Sequence, residues 1–153
     1  MLDHDQSTMR IALAEAQAAA DAGETPIGAV VLDPATGAVV ARAHNGPIGL
    51  NDPTAHAEIL ALRAAAAAVG NYRLTGLELF VTLEPCAMCA GAISHARIAR
   101  LVYGAPDEKG GAVASGPRFF EQPTCHWRPA VVAGVLGAES AALLRGFFRA
   151  RRG

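Results

Sequence analysis

Two cysteines three positions apart are the first feature of this sequence that could do chemistry. Cys86 and Cys89 lie in the stretch Thr-Leu-Glu-Pro-Cys-Ala-Met-Cys, residues 82–89, and the chain has three cysteines in all. The apolar residues 77–81 predict a strand, and the small residues 87–93 predict a helix that begins just after the proline. Both thiols then lie on one side of a first helical turn, where the helix dipole stabilises thiolates. The pair is therefore half of a possible metal site.

The triplet His56-Ala57-Glu58 can supply the other half, because it lies at the predicted start of another helix. With the two cysteines, His56 makes a Cys₂His ligand set, which leaves one of zinc's four tetrahedral positions open. Structural zinc sites are normally closed by four protein ligands, whereas an open position holds a water whose pKa zinc lowers towards neutrality. We therefore expect Glu58 to shuttle protons beside that water rather than to bind the metal.

The pattern is specific only when its parts are taken together. His-x-Glu alone is a weak signal, and a lone Cys-x-x-Cys pair also occurs in small zinc ribbons and in redox-active proteins. His-x-Glu followed by Pro-Cys-x-x-Cys is the signature of zinc nucleobase deaminases. Neither alternative needs Glu58 or ligands at two helix starts, so we favour a hydrolytic zinc site. Cys125 would close the open position if it were a ligand, so we interpret it as a free thiol.

Local patterns predict the elements that would position these residues. The predicted helices are 7–22, 55–69 with Thr54 as N-cap and Gly70 as stop, 87–95 and 139–151. The predicted strands are 27–32, 38–43, 77–81, 98–103 and 130–133, with loops over 45–53 and 104–129 and one helical turn near Phe119. A hairpin followed by β-α units implies a mixed sheet. We therefore expect one α/β domain over residues 1–153, a three-layer α/β/α sandwich with a five-stranded mixed sheet.

Composition indicates a globular protein outside the membrane. Hydrophobic residues make up 52% of the chain and charged residues 18%. No apolar run approaches the roughly 18–20 residues that span a bilayer. The acidic N-terminus also lacks the basic and apolar regions of a signal peptide. We therefore expect a cytoplasmic protein without membrane association, and in that compartment a close cysteine pair binds metal more often than it forms a disulfide.

Charge is distributed unevenly along the chain. Residues 1–34 carry one arginine and six acids, whereas residues 97–153 carry nine basic residues and four acids. Four arginines lie within the last nine residues, at Arg145, Arg149, Arg151 and Arg152. A basic terminus suits a polyanion, but cations at the end of a solvated helix also complement its dipole. Charge alone leaves both interpretations open.

Four longer segments resemble the bacterial tRNA-specific adenosine deaminases, the TadA family of the cytidine-deaminase-like superfamily. They are residues 51–59 (Asn-Asp-Pro-Thr-Ala-His-Ala-Glu-Ile), 71–74 (Asn-Tyr-Arg-Leu), 81–93 (Val-Thr-Leu-Glu-Pro-Cys-Ala-Met-Cys-Ala-Gly-Ala-Ile) and 147–152 (Phe-Phe-Arg-Ala-Arg-Arg). The likeness covers nearly the whole chain. The metal motifs are shared across the superfamily, whereas the loop 45–53 and the Phe-Phe-Arg end are more particular to the family. The chain departs from the family pattern mainly over 110–129.

The resemblance implies a reaction and a cofactor. One zinc ion per chain is held by His56, Cys86 and Cys89, and adenosine is deaminated hydrolytically to inosine at the wobble position of a tRNA anticodon. Glu58 takes a proton from zinc-activated water, passes it to the purine ring nitrogen and then helps to protonate the leaving ammonia. The implied assembly is a homodimer with the pocket near its interface.

The resemblance also implies substrate contacts. By matching position, Asn45 contacts the flipped nucleotide of the tRNA anticodon stem-loop, and Asp107 approaches the substrate strand. Ala57 and Glu84 line or brace the pocket. An aromatic side chain beside arginines can contact RNA, which makes Phe148 and Arg149 candidates. Their helical spacing from the leucines at 143 and 144 suits the core equally well for the phenylalanines at 147 and 148.

Two other functions are alternatives to this assignment. A deaminase of a free base or nucleoside, such as guanine, cytosine or cytidine, would need the same zinc and Glu58. The basic, aromatic end and the loop that contains Asn45 favour RNA over that alternative. A zinc-stabilised RNA-binding module would need neither Glu58 nor an open metal position.

Overall fold

The computed structural model describes the backbone of residues 2–152 and the side chains of residues 4–151. Within that range the elements follow one another in the predicted order. The helices are α1 (Leu2–Asp21), α2 (Pro47–Leu50), α3 (Ala57–Val69), α4 (Ala87–His95) and α5 (Gly137–Arg152), with a 3₁₀ turn at Phe119–Glu121. The strands are β1 (Gly28–Asp33), β2 (Ala38–His44), β3 (Glu78–Leu83), β4 (Arg100–Ala105) and β5 (Ala130–Val132).

Two local predictions differ from the structure around the loop between β2 and α3. The predicted loop 45–53 contains the short helix α2. Thr54 is not the N-cap of α3, because that position belongs to His56. The Thr54 hydroxyl instead donates to Asp52 Oδ1 at 2.7 Å, and the Thr54 backbone N–H donates to the same oxygen at 2.9 Å. This local turn satisfies Thr54 and delays the helix until Ala57.

The sheet is mixed and five-stranded, as predicted, with strand order β2-β1-β3-β4-β5. β1 is antiparallel to both β2 and β3, whereas β3, β4 and β5 are parallel to one another. Parallel neighbours end at the same edge of a sheet, so the ends of β3 and β4 at Leu83 and Ala105 are adjacent. The chain leaves this edge towards α4 on one side and the loop 106–118 on the other.

Helices cover both faces of the sheet and complete the three layers. Alternate residues of β1 point to opposite faces, so Ala29 and Val31 pack in the cluster that contains α3 and α4 residues, while Val30 packs with Met9 of α1. α5 joins α1 on that second face. Close packing there requires Gly28, since a Cβ at this position would lie 2.0 Å from the Ala12 carbonyl oxygen.

In the part of the chain that the structure describes, the helices are too short or too polar to cross a lipid bilayer.

Candidate active site

The three predicted metal ligands lie together at the edge of the sheet. His56 Nδ1 is 3.6 Å from Cys86 Sγ and 3.5 Å from Cys89 Sγ. All three ligand atoms lie within 4.8 Å of one another. Tetrahedral zinc, with Zn–S bonds of about 2.3 Å and Zn–N bonds of about 2.0–2.1 Å, separates its sulfur and nitrogen ligands by about 3.5 Å. The donor types and their spacing therefore fit a zinc ion, which these three residues would hold.

Helix starts place these ligands. His56 is the N-cap of α3, Cys86 is the N-cap of α4, and neither side chain makes a capping hydrogen bond. Cys89 is buried in the first turns of α4. Both side chains at the N-cap positions are therefore available to a metal, and the positive ends of two helix dipoles point towards the thiolates.

The two thiols have different proton affinities. A hydrogen bond from the Cys89 thiol is the main cause that lowers the pKa of Cys86 to about 5, and the neighbouring His56 adds to it against the effect of burial. The same hydrogen bond, together with burial, raises the pKa of Cys89. In the chain without metal, the pair therefore carries its negative charge more readily on Cys86 than on Cys89.

Glu58 lies in the first turn of α3 and lines the same pocket as His56 and Cys86. Only 4% of the residue is exposed. Burial raises the pKa of Glu58 to about 7, so this carboxyl can carry a proton near neutral pH. A pocket of about 250 Å³ is lined by Ile27, His56, Glu58, Leu83, Glu84, Cys86, Asp107 and Gly110. The site thus combines a metal-ligand set with a buried acid–base group in a small enclosed space.

Glu84 lines the pocket and organises the loop at its rim. Its Oε1 accepts hydrogen bonds from the Asp107 N–H and the Ser115 hydroxyl, both at 3.0 Å. Its Oε2 accepts from the N–H groups of Val113, Ala114 and Ser115 at 3.0–3.1 Å. Burial opposes ionisation of Glu84, but these donors outweigh burial and hold its pKa below the usual value. The loop 107–115 is therefore wrapped around one carboxylate.

Asp107 lies at the mouth of the pocket. Its Oδ1 accepts hydrogen bonds from the Lys109 and Gly110 N–H groups at 3.2 and 3.0 Å. The second glycine, Gly111, is needed for space: a Cβ there would lie 2.5 Å from the Asp107 carbonyl oxygen and 2.5 Å from Glu84 Cδ. The loop can adopt this shape only with glycine at that position.

Asn45 and Ala57 are buried near the site but do not line the pocket. Asn45 follows β2 directly, and its N–H donates to the Ile27 carbonyl at 3.0 Å. Among the described residues, Asn45 Oδ1 is the one buried side-chain oxygen or nitrogen without a hydrogen-bond partner. Such atoms are costly to bury unless an ordered water or a bound ligand supplies the missing partner. Ala57 is fully buried as the first residue of α3.

The basic C-terminal helix is only partly free to meet a ligand. The Arg151 guanidinium lies 4.5 Å from the Phe147 ring centroid and donates to the Gly23 carbonyl at 2.5 Å. Phe148 is 46% exposed, Arg149 is exposed, and neither lines the pocket. The side chain of Arg152 lies outside the described residues.

The segment 119–129 packs against α4 and contributes no residue to the metal-ligand cluster. The Cys125 thiol donates to the Trp127 carbonyl at 3.1 Å, and the Trp127 indole N–H donates to the Ile98 carbonyl at 2.8 Å. The third cysteine is therefore buried and free, and is not among the metal-site residues that the structure brings together. His126 is exposed beside it.

Sequence patterns did not identify the apolar walls of the pocket, Ile27 and Leu83, or the role of Gly110. Ile27 precedes β1 and Leu83 ends β3, and both look like ordinary strand residues. The pair Gly110-Gly111 was the one usable signal, since adjacent glycines mark backbone under tight steric limits.

Comparison with known proteins agrees with this geometry. Residues 2–105 match the family model described as the cytidine and deoxycytidylate deaminase zinc-binding region. The chain is 59% identical over 145 residues to the tRNA-specific adenosine deaminase of Agrobacterium fabrum, covering 94% of this chain and 93% of that protein.

Solved structures share the fold. One, from a study of A-to-I editing by tRNA:A34 deaminases at the wobble position of transfer RNA, superposes with a TM-score of 0.88 at 56% identity and covers 90% of this chain and 99% of its own. The guanine deaminase of Bacillus subtilis superposes with a TM-score of 0.63 at 31% identity, covering 95% of this chain and 92% of its own.

The assignment rests on the ligand set, on buried Glu58 in the first turn of α3, and on these similarities. The chain belongs to the cytidine and deoxycytidylate deaminase family, and within it to the tRNA-specific adenosine deaminases.

Proposed function

We propose that this protein deaminates adenosine to inosine, with release of ammonia, at the wobble position of a tRNA anticodon. The observation that carries the chemistry is the cluster of His56, Cys86 and Cys89 beside buried Glu58 in one small pocket. The substrate rests on the family, because the relative at 59% identity is a tRNA-specific adenosine deaminase.

The zinc ion, held by His56, Cys86 and Cys89, supplies Lewis-acid chemistry that makes water a nucleophile near neutral pH. Glu58 performs the proton transfers around it. Its buried carboxylate takes a proton from the attacking water and delivers it to the purine ring nitrogen. It then helps to protonate the departing amine, so that water and adenosine become inosine and ammonia. A raised pKa suits this work, because a group that titrates near the working pH both accepts and releases protons.

The pocket favours a base extruded from a flexible strand. A pocket of about 250 Å³ lies below the roughly 300 Å³ at which sites for drug-sized ligands begin, so its size suits a single nucleobase. Anticodon loops present unpaired bases that can be splayed out in this way. Asn45 meets the flipped nucleotide with its unpartnered amide oxygen, and Asp107 contacts the strand at the rim. Ala57, fully buried between the lining residues His56 and Glu58, braces the pocket.

Further contacts lie away from the pocket. Phe148 and Arg149, both exposed on α5, provide an aromatic face and a cation for the RNA outside the target base. The active form is a homodimer in the cytoplasm, where tRNA is found. An apolar cleft of about 340 Å³ on the outer faces of α3 and α4 supports self-association.

A free purine is the second candidate substrate, because a guanine deaminase shares the fold at 31% identity. Both substrates would use the same ligands and Glu58, so the zinc site does not separate them. The higher identity to the tRNA-specific enzymes and the exposed aromatic and basic residues of α5 favour RNA.

The decisive experiment offers both substrate classes to the purified protein. We expect inosine in an anticodon stem-loop with a wobble adenosine, and no turnover of free guanine, cytosine, cytidine or adenosine. Glu58→Ala should lower the rate on the stem-loop by at least about 10²-fold while zinc stays bound. Turnover of a free base without reaction on the stem-loop would overturn the proposed substrate.

A further inference from the structure

A second buried carboxylate holds the short helix that follows Asn45. Glu24 lies in the connection between α1 and β1, and only 4% of the residue is exposed. Its Oε1 accepts a hydrogen bond from the Ile48 N–H at 3.2 Å, and its Oε2 accepts one from the Gly49 N–H at 2.7 Å. Both donors belong to α2, the short turn that follows Asn45. Glu24 therefore ties this turn to a part of the chain that is more than twenty residues away.

The turn has little else to hold it in place. α2 has four residues and buries none of them. Its two large apolar side chains, Ile48 and Leu50, are 69% and 59% exposed. One turn of helix is not stable by its own hydrogen bonds, and apolar packing adds little here. Charge-assisted hydrogen bonds are about twice as strong as neutral ones, so the Glu24 carboxylate supplies the main attachment.

This attachment lies between two residues of the active site. Asn45 immediately precedes the turn, and its buried amide oxygen has no partner among the described residues. His56 follows the same loop, whose ends are brought together by a hydrogen bond from the Gly46 N–H to the Ala55 carbonyl at 2.9 Å. A displaced turn would move Asn45 first, because His56 is also fixed by α3 and its sulfur neighbours.

We propose that Glu24 is a positioning residue for substrate binding: it clamps the α2 turn through the Ile48 and Gly49 amides and so holds Asn45 in place for the target nucleotide. This inference rests on the proposed function for Asn45. Glu24 itself touches no reacting atom and is not a catalytic residue.

Glu24→Gln tests the clamp, because a glutamine offers one acceptor oxygen and turns an NH₂ group towards the second donor. We expect KM for the anticodon stem-loop to rise about tenfold and kcat to change less than about threefold. Glu15→Gln is the matched control. Glu15 and Glu24 line one cleft of about 510 Å³, and Glu15 pairs with Arg42 at 2.5 Å. Glu15→Gln therefore removes the same charge without removing a hydrogen bond to the turn. It should keep the wild-type KM.

A double-mutant cycle with Asn45→Ala separates positioning from general loss of stability. If Glu24 acts through Asn45, Glu24→Gln should add less than about twofold to the KM of the Asn45→Ala variant. Independent, multiplicative effects of the two substitutions on KM would overturn the proposal, and so would a Glu15→Gln effect as large as that of Glu24→Gln.

Amide hydrogen exchange tests the attachment of α2 to Glu24 independently of deaminase activity. The Ile48 and Gly49 amides should exchange at least about tenfold faster in Glu24→Gln than in the wild type, with zinc content unchanged. Equal exchange in the two proteins would show that no clamp exists. If Glu24→Gln does not fold, Glu24→Asp keeps the charge but shortens the reach, and the same exchange result is expected. Failure of the wild type to form inosine would reject the proposed function, whereas the exchange result would still decide on the clamp.

Discussion

At the scale of single residues, the two thiols of the site are unequal before any metal arrives. The hydrogen bond from Cys89 lowers the pKa of Cys86 to about 5, whereas the same hydrogen bond and burial raise the pKa of Cys89. Metal ligation requires both sulfurs to be deprotonated. Zinc binding at neutral pH should therefore release the proton that the thiol pair shares.

The cysteines also provide a matched test of the metal site. Cys86→Ala should reduce zinc from about one ion per chain to a small fraction, because two ligands do not hold the ion tightly. Cys125→Ala should keep full zinc, since that thiol donates to the Trp127 carbonyl and lies outside the cluster. Metal analysis by mass spectrometry after dialysis measures both. Equal zinc in the two variants would contradict the ligand set.

Residue spacing predicted the metal ligands because each motif is local. Cys86 and Cys89 are three residues apart at the start of α4, so helical geometry brings their side chains to one side. The Cys₂His ligand set then pointed to His56 at the start of α3. Glu24 could not be found in this way. Its role depends on contact with Ile48 and Gly49, and no local pattern records which buried acid meets which distant amides.

At the scale of elements, two irregular segments directly follow the site residues Asn45 and Asp107 in the chain, and each segment is held by a buried carboxylate. Glu84 accepts five hydrogen bonds from the loop 107–115, and Glu24 accepts two from α2. Sequence predicted both segments as loops but not their shape. Thr54 illustrates the reason, because it satisfies its hydrogen bonds with Asp52 instead of capping α3, and both arrangements suit the same residues.

A pair of glycine substitutions tests the framing of the loop 107–115. Gly111→Ala should destabilise the protein by about 1–3 kcal/mol and raise KM, because its Cβ would lie 2.5 Å from both the Asp107 carbonyl oxygen and Glu84 Cδ. Gly91→Ala, within α4, meets nothing within 4 Å and should stabilise the protein by about 0.5–1 kcal/mol. Thermal unfolding gives the sign of each change. A neutral Gly111→Ala would mean that the loop is not closely wrapped around Glu84.

At the scale of the whole molecule, the layer order was predictable and the outer surfaces were not. The nearly continuous apolar runs of β1 and β3 and the periodicity of the helices indicate two buried sheet faces. The structure covers one face with α1 and α5 and the other with α3 and α4. Which exposed side chains meet a partner depends on a second molecule, about which intramolecular patterns carry no information.

The outer face of α3 and α4 is where we expect the second copy to bind. The wild type should have twice its chain mass of 15.7 kDa by light scattering. Ala92→Arg places a charge in the apolar cleft between Ile59 and Tyr72 and should yield a monomer. Ala142→Arg adds the same charge on the exposed face of α5 and should remain dimeric. A dimeric Ala92→Arg protein would locate the interface elsewhere.

The basic C-terminal helix should contribute a salt-dependent term to RNA binding. Arg149→Ala removes an exposed cation and should reduce the slope of log affinity against log salt by about 0.7 for a single-stranded contact. Arg10→Ala removes an equally exposed cation from α1, where it lies 3.8 Å from Glu139, and should leave the slope unchanged. Filter binding of the stem-loop at several salt concentrations measures both. Equal slopes for the two variants would place the phosphate contact away from α5.

The two metal ligands at N-cap positions would couple the stability of the folded chain to zinc supply. His56 and Cys86 stand where α3 and α4 would normally have a side-chain cap, and they make no such hydrogen bond. Loss of a cap typically costs a helix about 1 kcal/mol, and a ligand that binds only the folded state offsets such a cost in proportion to the logarithm of its concentration. A cell short of zinc would then hold more of the chain in partly opened forms, which proteases degrade. Scarcity of the metal would lower the number of enzyme molecules as well as the fraction that is active, so that tRNA editing capacity would fall more steeply than metal occupancy alone.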